Sequence, residues 1–353
     1  MLILRNDDVR SILRNLSHND LLCILSAFSR TLREFSVPSS EEAIIYQPIR
    51  ASISTSLGHT TLFMPSSNTV TTGIKVVSIP AQGGGLPSAL TIFTPDGKIV
   101  GLLNSGEITG FRTALASMVI FARREWQGAG SIVVFGAGKQ AEWHIRLALM
   151  LSPQTIGRVT VINRSKETLD ALKADIFPEL EIEYPNVAFT FVAKAGNASY
   201  ESELEASLFE AVAIFCCTPT SDPLFPYSYL ENAKTRNKYL SLIGSYKPHM
   251  KEVDSRTVRS GDLLCVDDKE ACLEESGELI GAKVTKEELV EIGALLSKDT
   301  GELTGADEDQ LAILRTSNVI FKCVGIGIMD VVVGSILLDF AKAQCIGIPV
   351  ADF

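Results

Sequence analysis

The sequence is short of positive charge and contains no basic cluster. Its 353 residues include 32 lysines and arginines against 42 acidic residues, a formal net charge of -10 at pH 7. Nucleic-acid-binding surfaces are basic, so this balance argues against a nucleic acid partner. Internal repeats and low-complexity segments are also missing, and 46% of the residues are hydrophobic, enough for sizeable cores.

Patterns for metal binding and for disulfides are absent as well. The seven cysteines are scattered, with no Cys-x-x-Cys pair and no His/Cys spacing suited to zinc. The four histidines show no ligand or triad spacing. We therefore predict no metal site, and the odd, unpatterned cysteine count is typical of a reducing compartment.

Long hydrophobic runs are missing too. The apolar stretch 331–338 is far below membrane-spanning length and lies between Asp330 and Asp339. The first eight residues are too short and too charged to form a signal peptide. We expect a soluble, cytoplasmic protein with no membrane partner.

The length and the pattern of the chain predict two domains. From Ser131 onward, strand-like runs alternate with helical patterns, which predicts an α/β fold with a parallel sheet. After about Leu311 the alternation stops, and a final apolar helix over 328–343 has no strand after it. We therefore expect a discontinuous α+β domain, 1–125 plus 316–353, with a nucleotide-binding domain, 126–315, inserted into it.

Individual elements follow from the same patterns. In the first domain we predict strands at 43–49 and 72–79, a hairpin at 89–103 that turns at Pro95-Asp96-Gly97, and a helix over 106–123. In the inserted domain the predicted strands are 131–135, 158–162, 187–192, 212–217, 239–243 and 262–266.

The most informative motif follows the strand at 131–135. It reads Gly136-Ala137-Gly138-Lys139-Gln140-Ala141 and opens directly into an amphipathic helical pattern. Two glycines allow a tight turn close to a pyrophosphate, a small Ala141 lets helix and strand pack closely, and the helix N-terminus offers free N–H groups. The motif predicts a dinucleotide site; the alternative is an ordinary strand–turn–helix connection.

The end of the next strand bears on the choice of cofactor. That strand ends in Asn163-Arg164-Ser165 and lacks the acidic residue that usually accepts hydrogen bonds from the ribose of NAD. A guanidinium can instead hold a 2′-phosphate, so Arg164 favours NADP(H), with NAD(H) as the second possibility. The alternative is a solvated loop arginine. Thr218 and Thr220 follow a later strand and are candidate cofactor contacts, although a turn explains them almost as well.

Arg112 stands out because it is the one charged residue between Glu107 and Arg123. It shares an apolar helical stripe with Ile108 and Ala116. A desolvated guanidinium needs an anion, and nothing nearby in the sequence supplies one. Two partners are open: a substrate carboxylate, or a distant Asp or Glu in a structural pair.

Lys75 occupies a similar position in a strand, on the same face as Val77 and Ile79. Apolar surroundings lower the pKa of a lysine and make it usable in proton transfer near neutral pH. The alternative is an edge-strand lysine that discourages aggregation. Arg50 lies in similar company but gives a weaker signal.

In combination, these residues resemble the ornithine cyclodeaminase/μ-crystallin superfamily, which includes ketimine reductases and some amino-acid dehydrogenases. The matching segments run along nearly the whole chain, in order: Gln47-Pro48-Ile49-Arg50, Phe63-Met64-Pro65, Gly73-Ile74-Lys75, residues 106–114, Gly136-Ala137-Gly138-Lys139-Gln140-Ala141, Asn163-Arg164-Ser165, Glu275-Ser276-Gly277-Glu278 and residues 319–327.

The resemblance implies roles for individual residues. Arg50 and Arg112 would hold the carboxylate of a small substrate, and Lys75 would contact that carboxylate and assist proton transfer. Ser88 aligns with a family threonine near the substrate. The implied fold is a Rossmann-type, doubly wound parallel sheet inserted in a substrate-binding and dimerisation domain, which implies a homodimer.

One departure from the family pattern affects the chemistry. Cyclodeaminases carry an Asp soon after the Gly of the fifth nucleotide-domain strand, and Tyr246 stands at that place here. We therefore expect an NAD(P)H-dependent reductase of a small α-imino acid, or the reverse amino-acid dehydrogenase. The alternatives are a cyclodeaminase with recycled NAD and a μ-crystallin-like NADPH-dependent binding protein.

Overall fold

The structure is a computed structural model that describes residues 1–38, 44–126, 129–231, 237–297 and 308–351. The chain divides into two compact units. Unit 1 comprises Met1–Arg112, Leu296–Glu302 and Gly325–Phe353; unit 2 comprises Thr113–Leu295 and Leu303–Val324.

Both units contain strands and helices. The strands are β1 (Leu2–Leu4), β2 (Ala51–Ser54), β3 (Thr60–Ser67), β4 (Thr72–Ile79), β5 (Ser88–Phe93), β6 (Ile99–Asn104), β7 (Gly130–Phe135), β8 (Ile156–Asn163), β9 (Ala188–Ala193), β10 (Ala211–Cys216), β11 (Tyr239–Leu242), β12 (Leu263–Val266), β13 (Leu289–Glu291), β14 (Val319–Lys322) and β15 (Ile348–Pro349). The helices are α1 (Asn6–Arg14), α2 (His18–Ser36), α3 (Gly106–Phe121), α4 (Lys139–Leu151), α5 (Lys166–Glu183), α6 (Tyr200–Glu210), α7 (Ser228–Glu231), α8 (Ser255–Arg259), α9 (Lys269–Glu275), α10 (Gly277–Gly281), α11 (Glu308–Thr316) and α12 (Gly327–Ala343).

Unit 1 is built on a mixed sheet with the strand order β15-β1-β6-β5-β4-β3-β2. Helix α12 packs on this sheet at glycines. A Cβ on Gly73 of β4 would lie 2.7 Å from Val331, and one on Gly334 of α12 would lie 2.4 Å from Leu90 of β5. The close approach fixes α12 against β4 and β5, the strands that carry candidate residues.

Most predicted elements of unit 1 are confirmed. Strand β4 covers the predicted 72–79, and β5 and β6 form the predicted antiparallel hairpin, with Gly97 in its turn at φ +88°. The predicted strand 43–49 is wrong for the described residues 44–49, where a single bridge joins Tyr46 to Ser67. Residue 43 lies outside the described residues.

Unit 2 contains a parallel sheet with the strand order β13-β12-β14-β11-β10-β7-β8-β9. Its run β9-β8-β7-β10-β11 is the 3-2-1-4-5 order of a dinucleotide-binding sheet, with the switch point between β7 and β10. The predicted Rossmann-type α/β class is confirmed, and each of the six predicted strands of this sheet has its counterpart.

The domain borders differ from the expected ones. Strand β14 pairs with β11 and with β12 in the sheet of unit 2, so assigning all of 316–353 to the terminal domain is wrong for this strand. A four-residue strand that contains Lys322 resembles a lead into the next helix, and its pairing is visible only in the fold. The other border falls at Arg112 inside α3 rather than at residue 125.

The helices of the described ranges are too short or too polar to cross a membrane.

Candidate functional site

The glycine motif of unit 2 forms the turn between β7 and α4. Gly136 has φ +113°, and a Cβ there would lie 3.0 Å from the carbonyl oxygen of Cys217. Gly138 caps α4 without a side-chain hydrogen bond, and a Cβ there would meet nothing within 4 Å. Ala141 is fully buried where the helix packs on the sheet. The turn therefore leaves open space at the N-terminus of α4, as a bound pyrophosphate requires.

The other residues of the motif differ in how far their side chains are exposed. Ala137 and Gln140 are half-buried, whereas Lys139 is exposed in the first turn of α4. Their backbone N–H groups belong to the helix start, where anions bind favourably. The six-residue motif thus has the backbone geometry that its sequence predicts.

A cavity of about 620 Å³ opens at the carboxyl ends of β7, β8, β9 and β10. Its wall includes Asn163, Arg164, Lys194, Thr218 and Thr220. Lys194 was missed from the sequence, although it follows β9 at the same sheet edge as Arg164 follows β8. The cavity therefore has two cationic side chains in its wall.

Asn163 and Ser165 are engaged within their own turn. The side-chain amide of Asn163 donates to the carbonyl of Ser165 at 2.8 Å and to Thr168 Oγ1 at 2.6 Å. Ser165 caps α5 and donates its hydroxyl to Glu167 at 2.7 Å. These two residues shape the turn that presents Arg164 to the cavity.

Thr218 and Thr220 have different surroundings. The backbone N–H of Thr218 donates to Glu252 Oε1 at 2.7 Å, while Gly244 N–H donates to Oε2 of the same carboxylate at 2.7 Å. The hydroxyl of Thr220 donates to the carbonyl of Asp222 at 2.9 Å, so a turn engages this side chain, as the alternative interpretation predicts. Glu252 thus joins the loops that follow β10 and β11.

Glu252 belongs to a buried cluster that the sequence did not reveal. Ser245 donates to Glu278 Oε1 at 2.6 Å, Glu252 N–H donates to Glu278 Oε1 at 2.8 Å, and Lys322 Nζ lies 3.9 Å from Glu278 Oε2. Burial raises the pKa of Glu252 to about 7, against the opposing effects of Lys322 and of the Thr218 N–H. The cluster holds two carboxyl groups beside one ammonium group.

Tyr246 directly follows Ser245 of this cluster in the sequence. It is half-buried, and the Nζ atom of Lys247 lies 5.7 Å from its ring centroid. Tyr246 therefore brings a phenol, and not a carboxylate, to the segment that follows β11.

In unit 1, Lys75 and Arg112 both contact the carboxylate of Asp330. Lys75 Nζ is 2.8 Å from Oδ1 of Asp330, and Arg112 Nε is 3.4 Å from the same oxygen. All three side chains are buried, with exposed fractions of 5% or less. The second partner considered for Arg112, a distant acid, is therefore present in the structure.

Burial lowers the pKa of the Lys75 ammonium to about 8; Asp330 opposes this lowering and Arg112 adds to it. The edge-strand interpretation of Lys75 is wrong, because β4 lies between β3 and β5 in the sheet. Within the described residues, Arg112 Nε and Asp330 Oδ2 form no hydrogen bond. The three groups together carry one net positive charge, which suits one added anion.

The guanidinium of Arg112 lies against backbone that has no room for a side chain. A Cβ on Gly325, which has φ +89°, would lie 2.3 Å from Nη1. The same Nη1 donates to the sulfur of Met329 at 3.6 Å. Gly325 and the start of α12 therefore set the place of Arg112.

Ser88 lies in the same sheet as Lys75, and Arg50 directly precedes the edge strand β2 of that sheet. Arg50 is half-buried directly before β2, which pairs with β3, and β3 pairs in turn with β4. Ser88 begins β5 opposite Val77, so it lies on the face of β4 and β5 that carries Lys75. No cluster of three His, Cys, Asp or Glu side chains that could hold a metal ion occurs in the described part of the chain.

Curated proteins resemble the chain along most of its length. An uncharacterized cyclodeaminase of Dictyostelium discoideum is 29% identical over 287 residues, 78% of this chain and 77% of that protein. A Delta(1)-pyrroline-2-carboxylate reductase of Bacillus cereus is 24% identical over 339 residues, 92% and 93% of the two chains. The ketimine reductase mu-crystallin of Macropus fuliginosus is 21% identical, covering 95% and 96%. No family model matches the chain.

Solved structures share the fold. Thermococcus litoralis Delta(1)-pyrroline-2-carboxylate reductase in complex with NADH and L-proline matches with a TM-score of 0.76 at 19% identity, covering 99% of this chain and 100% of that one. Fold and motifs define a Rossmann-type protein whose parallel sheet is inserted in a second, discontinuous unit. The chain is thus similar over most of its length to proteins named cyclodeaminase, pyrroline-2-carboxylate reductase and mu-crystallin, which supports its resemblance to the ornithine cyclodeaminase/μ-crystallin superfamily.

Proposed function

We propose that the chain is an NAD(P)H-dependent reductase of a small α-imino acid, or the corresponding amino-acid dehydrogenase. The observation that carries this proposal is the buried group of Lys75, Arg112 and Asp330, which has one net positive charge and an acid–base group with a pKa of about 8. Relatives named pyrroline-2-carboxylate reductase and ketimine reductase support the same chemistry.

The substrate is held through its carboxylate. Arg112 provides a fixed guanidinium for that carboxylate, and Arg50 is proposed as a second cation beside it. Ser88 shares the Lys75 face of the sheet and is proposed to line the substrate. Such an anchor orients the substrate and lowers the entropic cost of reaching the transition state.

Lys75 is the proposed proton donor. Reduction of an imine adds a hydride to carbon and a proton to nitrogen, so one group must supply the proton. At neutral pH a lysine with a pKa of about 8 is mostly protonated and yet gives up its proton far more readily than an exposed lysine. Reversal of the reaction uses the neutral amine of the same residue as the base.

The glycine turn and the adjoining cavity of unit 2 fit a dinucleotide. Open space beside Gly138 and the N-terminus of α4 suit its pyrophosphate, and Thr218 lies beside the cavity at the end of β10. When bound, the nicotinamide supplies the hydride. We propose NADP(H) as the preferred cofactor because Arg164 and Lys194 line the cavity, although the Thermococcus structure holds NADH.

Two alternatives stay open. The Dictyostelium relative is named a cyclodeaminase, but Tyr246 replaces the acid of that pattern, which favours reduction over deamination. The second is an NADPH-dependent binding protein without turnover. We also propose a homodimer and a cytoplasmic location; the exposed side chains of Ile53 in strand β2 and of Ile49 and Leu57 beside it support a contact through unit 1.

The test uses the purified protein with NADPH or NADH and two cyclic imines, pyrroline-2-carboxylate and piperideine-2-carboxylate. We expect loss of reduced-nicotinamide absorbance together with formation of proline or pipecolate. Lys75→Met should lower kcat by at least about a hundredfold, because general acid catalysis contributes that much. Lys98→Met, which changes an exposed lysine of unit 1, should keep full activity.

Other outcomes would overturn the proposal. Conversion of ornithine to proline without net consumption of cofactor identifies a cyclodeaminase. Tight binding of NADPH with no turnover of either imine identifies a binding protein.

A further inference from the structure

Asp330 brings two buried cations to a single carboxylate oxygen. Its Oδ1 atom lies 2.8 Å from Lys75 Nζ and 3.4 Å from Arg112 Nε. The two cations repel each other, and the charge of Arg112 lowers the pKa of Lys75; away from water such repulsion is strong, because the local dielectric constant is low. An anion between them is therefore needed to keep both cations in place and charged.

The backbone around Asp330 is itself fixed within unit 1. Ile328 N–H, in the first turn of α12, donates to the side-chain oxygen of Gln47 at 2.8 Å. A Cβ on Gly327 would lie 3.3 Å from the carbonyl oxygen of Met64, on β3. The start of α12 is thus attached to the strands next to Lys75, and Asp330 has little freedom to move.

The cluster differs from a closed structural ion pair. A carboxylate buried only for stability is expected to satisfy both of its oxygens, yet Asp330 Oδ2 forms no hydrogen bond within the described residues. The Nε donor of Arg112 is also without a hydrogen bond there. The Arg112 donor and the one net positive charge are left for an anionic partner, whereas Asp330 Oδ2 is an acceptor and requires a hydrogen-bond donor.

We infer that Asp330 is a positioning residue, which holds the ammonium of Lys75 and the guanidinium of Arg112 on one carboxylate so that together they accept one monocarboxylate ligand. This inference rests on the proposed function, since the ligand is the carboxylate of the imino acid. It also names the ligand class: with one excess charge, the three-residue cluster neutralises a single carboxylate.

The inference predicts a change in pH dependence. Asp330 is the group that raises the pKa of Lys75, while burial and Arg112 lower it. Without the carboxylate, Lys75 loses its proton at a lower pH, and a protonated Lys75 is needed to bind an anion. Carboxylate binding in Asp330→Asn should therefore fail at a lower pH than in the unchanged protein.

The experiment measures binding of pyrrole-2-carboxylate, a planar molecule that cannot be reduced at an imine, by calorimetry between pH 6 and pH 9.5. In the unchanged protein we expect the affinity to fall above about pH 8. In Asp330→Asn the fall should begin at least about one pH unit lower, with about tenfold weaker binding at pH 8. Asp339→Asn, an exposed position on the same helix, is the control and should match the unchanged protein.

A second variant guards against a folding defect. Asp330→Glu keeps the charge but displaces it, so we expect weaker binding with the fall still near pH 8. An unchanged pH profile in Asp330→Asn overturns the inference and leaves the reductase proposal intact. Binding without imine reduction overturns the reductase proposal alone, and no binding by the unchanged protein overturns both.

Discussion

Gly325 shows how strongly one backbone position constrains Arg112. Its φ of +89° disfavours other residues, and a Cβ would lie 2.3 Å from Nη1 of the guanidinium. We expect Gly325→Ala to cost about 1–3 kcal/mol of folding stability through strain. It should also displace Arg112 and lower kcat/KM by at least about tenfold.

Gly97→Ala is the matched control for Gly325→Ala. Gly97 has a similar φ of +88°, but nothing lies within 4 Å of a Cβ there. Thermal unfolding and kinetics are measured for both variants. A loss of kcat/KM as large in Gly97→Ala would show that strain, and not displacement of Arg112, is responsible.

Arg164 tests the choice of cofactor. If its guanidinium holds a 2′-phosphate, Arg164→Asp removes an attraction and adds a repulsion, and the ratio of kcat/KM for NADPH to that for NADH should fall by at least about a hundredfold. Lys166→Asp makes the same charge change two residues later, at a lysine paired with Asp170, and should leave the ratio nearly unchanged. Equal ratios in all three proteins would refute the proposed NADP(H) preference.

Single residues were predictable where a charge interrupts an apolar pattern. The burial of Lys75 and Arg112 was predicted in this way, but their partner Asp330 was not identified, although it precedes the apolar stretch of α12 and carries the same signal. The pairing joins residues 255 positions apart, and no local pattern specifies it. Glu252 and Lys322 were missed for the same reason, since their neighbours meet only in the folded sheet.

At the level of elements, Glu252 connects the segments after β10 and β11. Its folded pKa of about 7 lies above the ordinary value of 4.5, so between these pH values the folded protein holds a proton that the unfolded chain has lost. Stability from this group therefore falls as pH rises from about 4.5 to 7. The charges of Glu278 and Lys322 act on Glu252: Glu278 raises its pKa and Lys322 lowers it, so both affect the pH range in which this stability is lost.

We expect Glu252→Gln to remove this pH dependence. The unchanged protein should lose stability relative to the variant between pH 5 and pH 8, as measured by urea unfolding at both values. At either pH the variant should be destabilised by about 1–3 kcal/mol, because one backbone N–H loses its carboxylate acceptor. Glu270→Gln, at an exposed position, is the control; a stability difference for Glu252→Gln that does not change with pH would contradict the expectation.

Elements with a clear periodic pattern of hydrophobic residues were predictable from the sequence, and short elements were not. Apolar runs followed by amphipathic helices identified six strands of the unit 2 sheet, and Pro95-Asp96-Gly97 identified the hairpin of β5 and β6. The segment 44–49 has strand-like residues, but only one of them pairs: Tyr46 forms a single bridge to Ser67 of β3. Strand β14 is too short for a period, so its partners alone define it.

For the whole molecule, the change from mixed to alternating patterns correctly predicted the Rossmann-type class, because a parallel sheet requires a crossover helix between successive strands. The location of the borders was harder, since α3 begins in unit 1 and ends in unit 2. A continuous helix gives the sequence no break to detect. Borders within helices are set by packing, which a single sequence does not display.

The pairing of Lys75 with Asp330 has a consequence for how the protein is made. The ribosome synthesises Lys75 and Arg112 early, and Asp330 follows only after nearly all of unit 2 has emerged. Until then Lys75 and Arg112 lack the carboxylate that they share in the folded protein. The ion pair between Lys75 and Asp330 can therefore form only after residues 113–324, which include all of unit 2, have been translated.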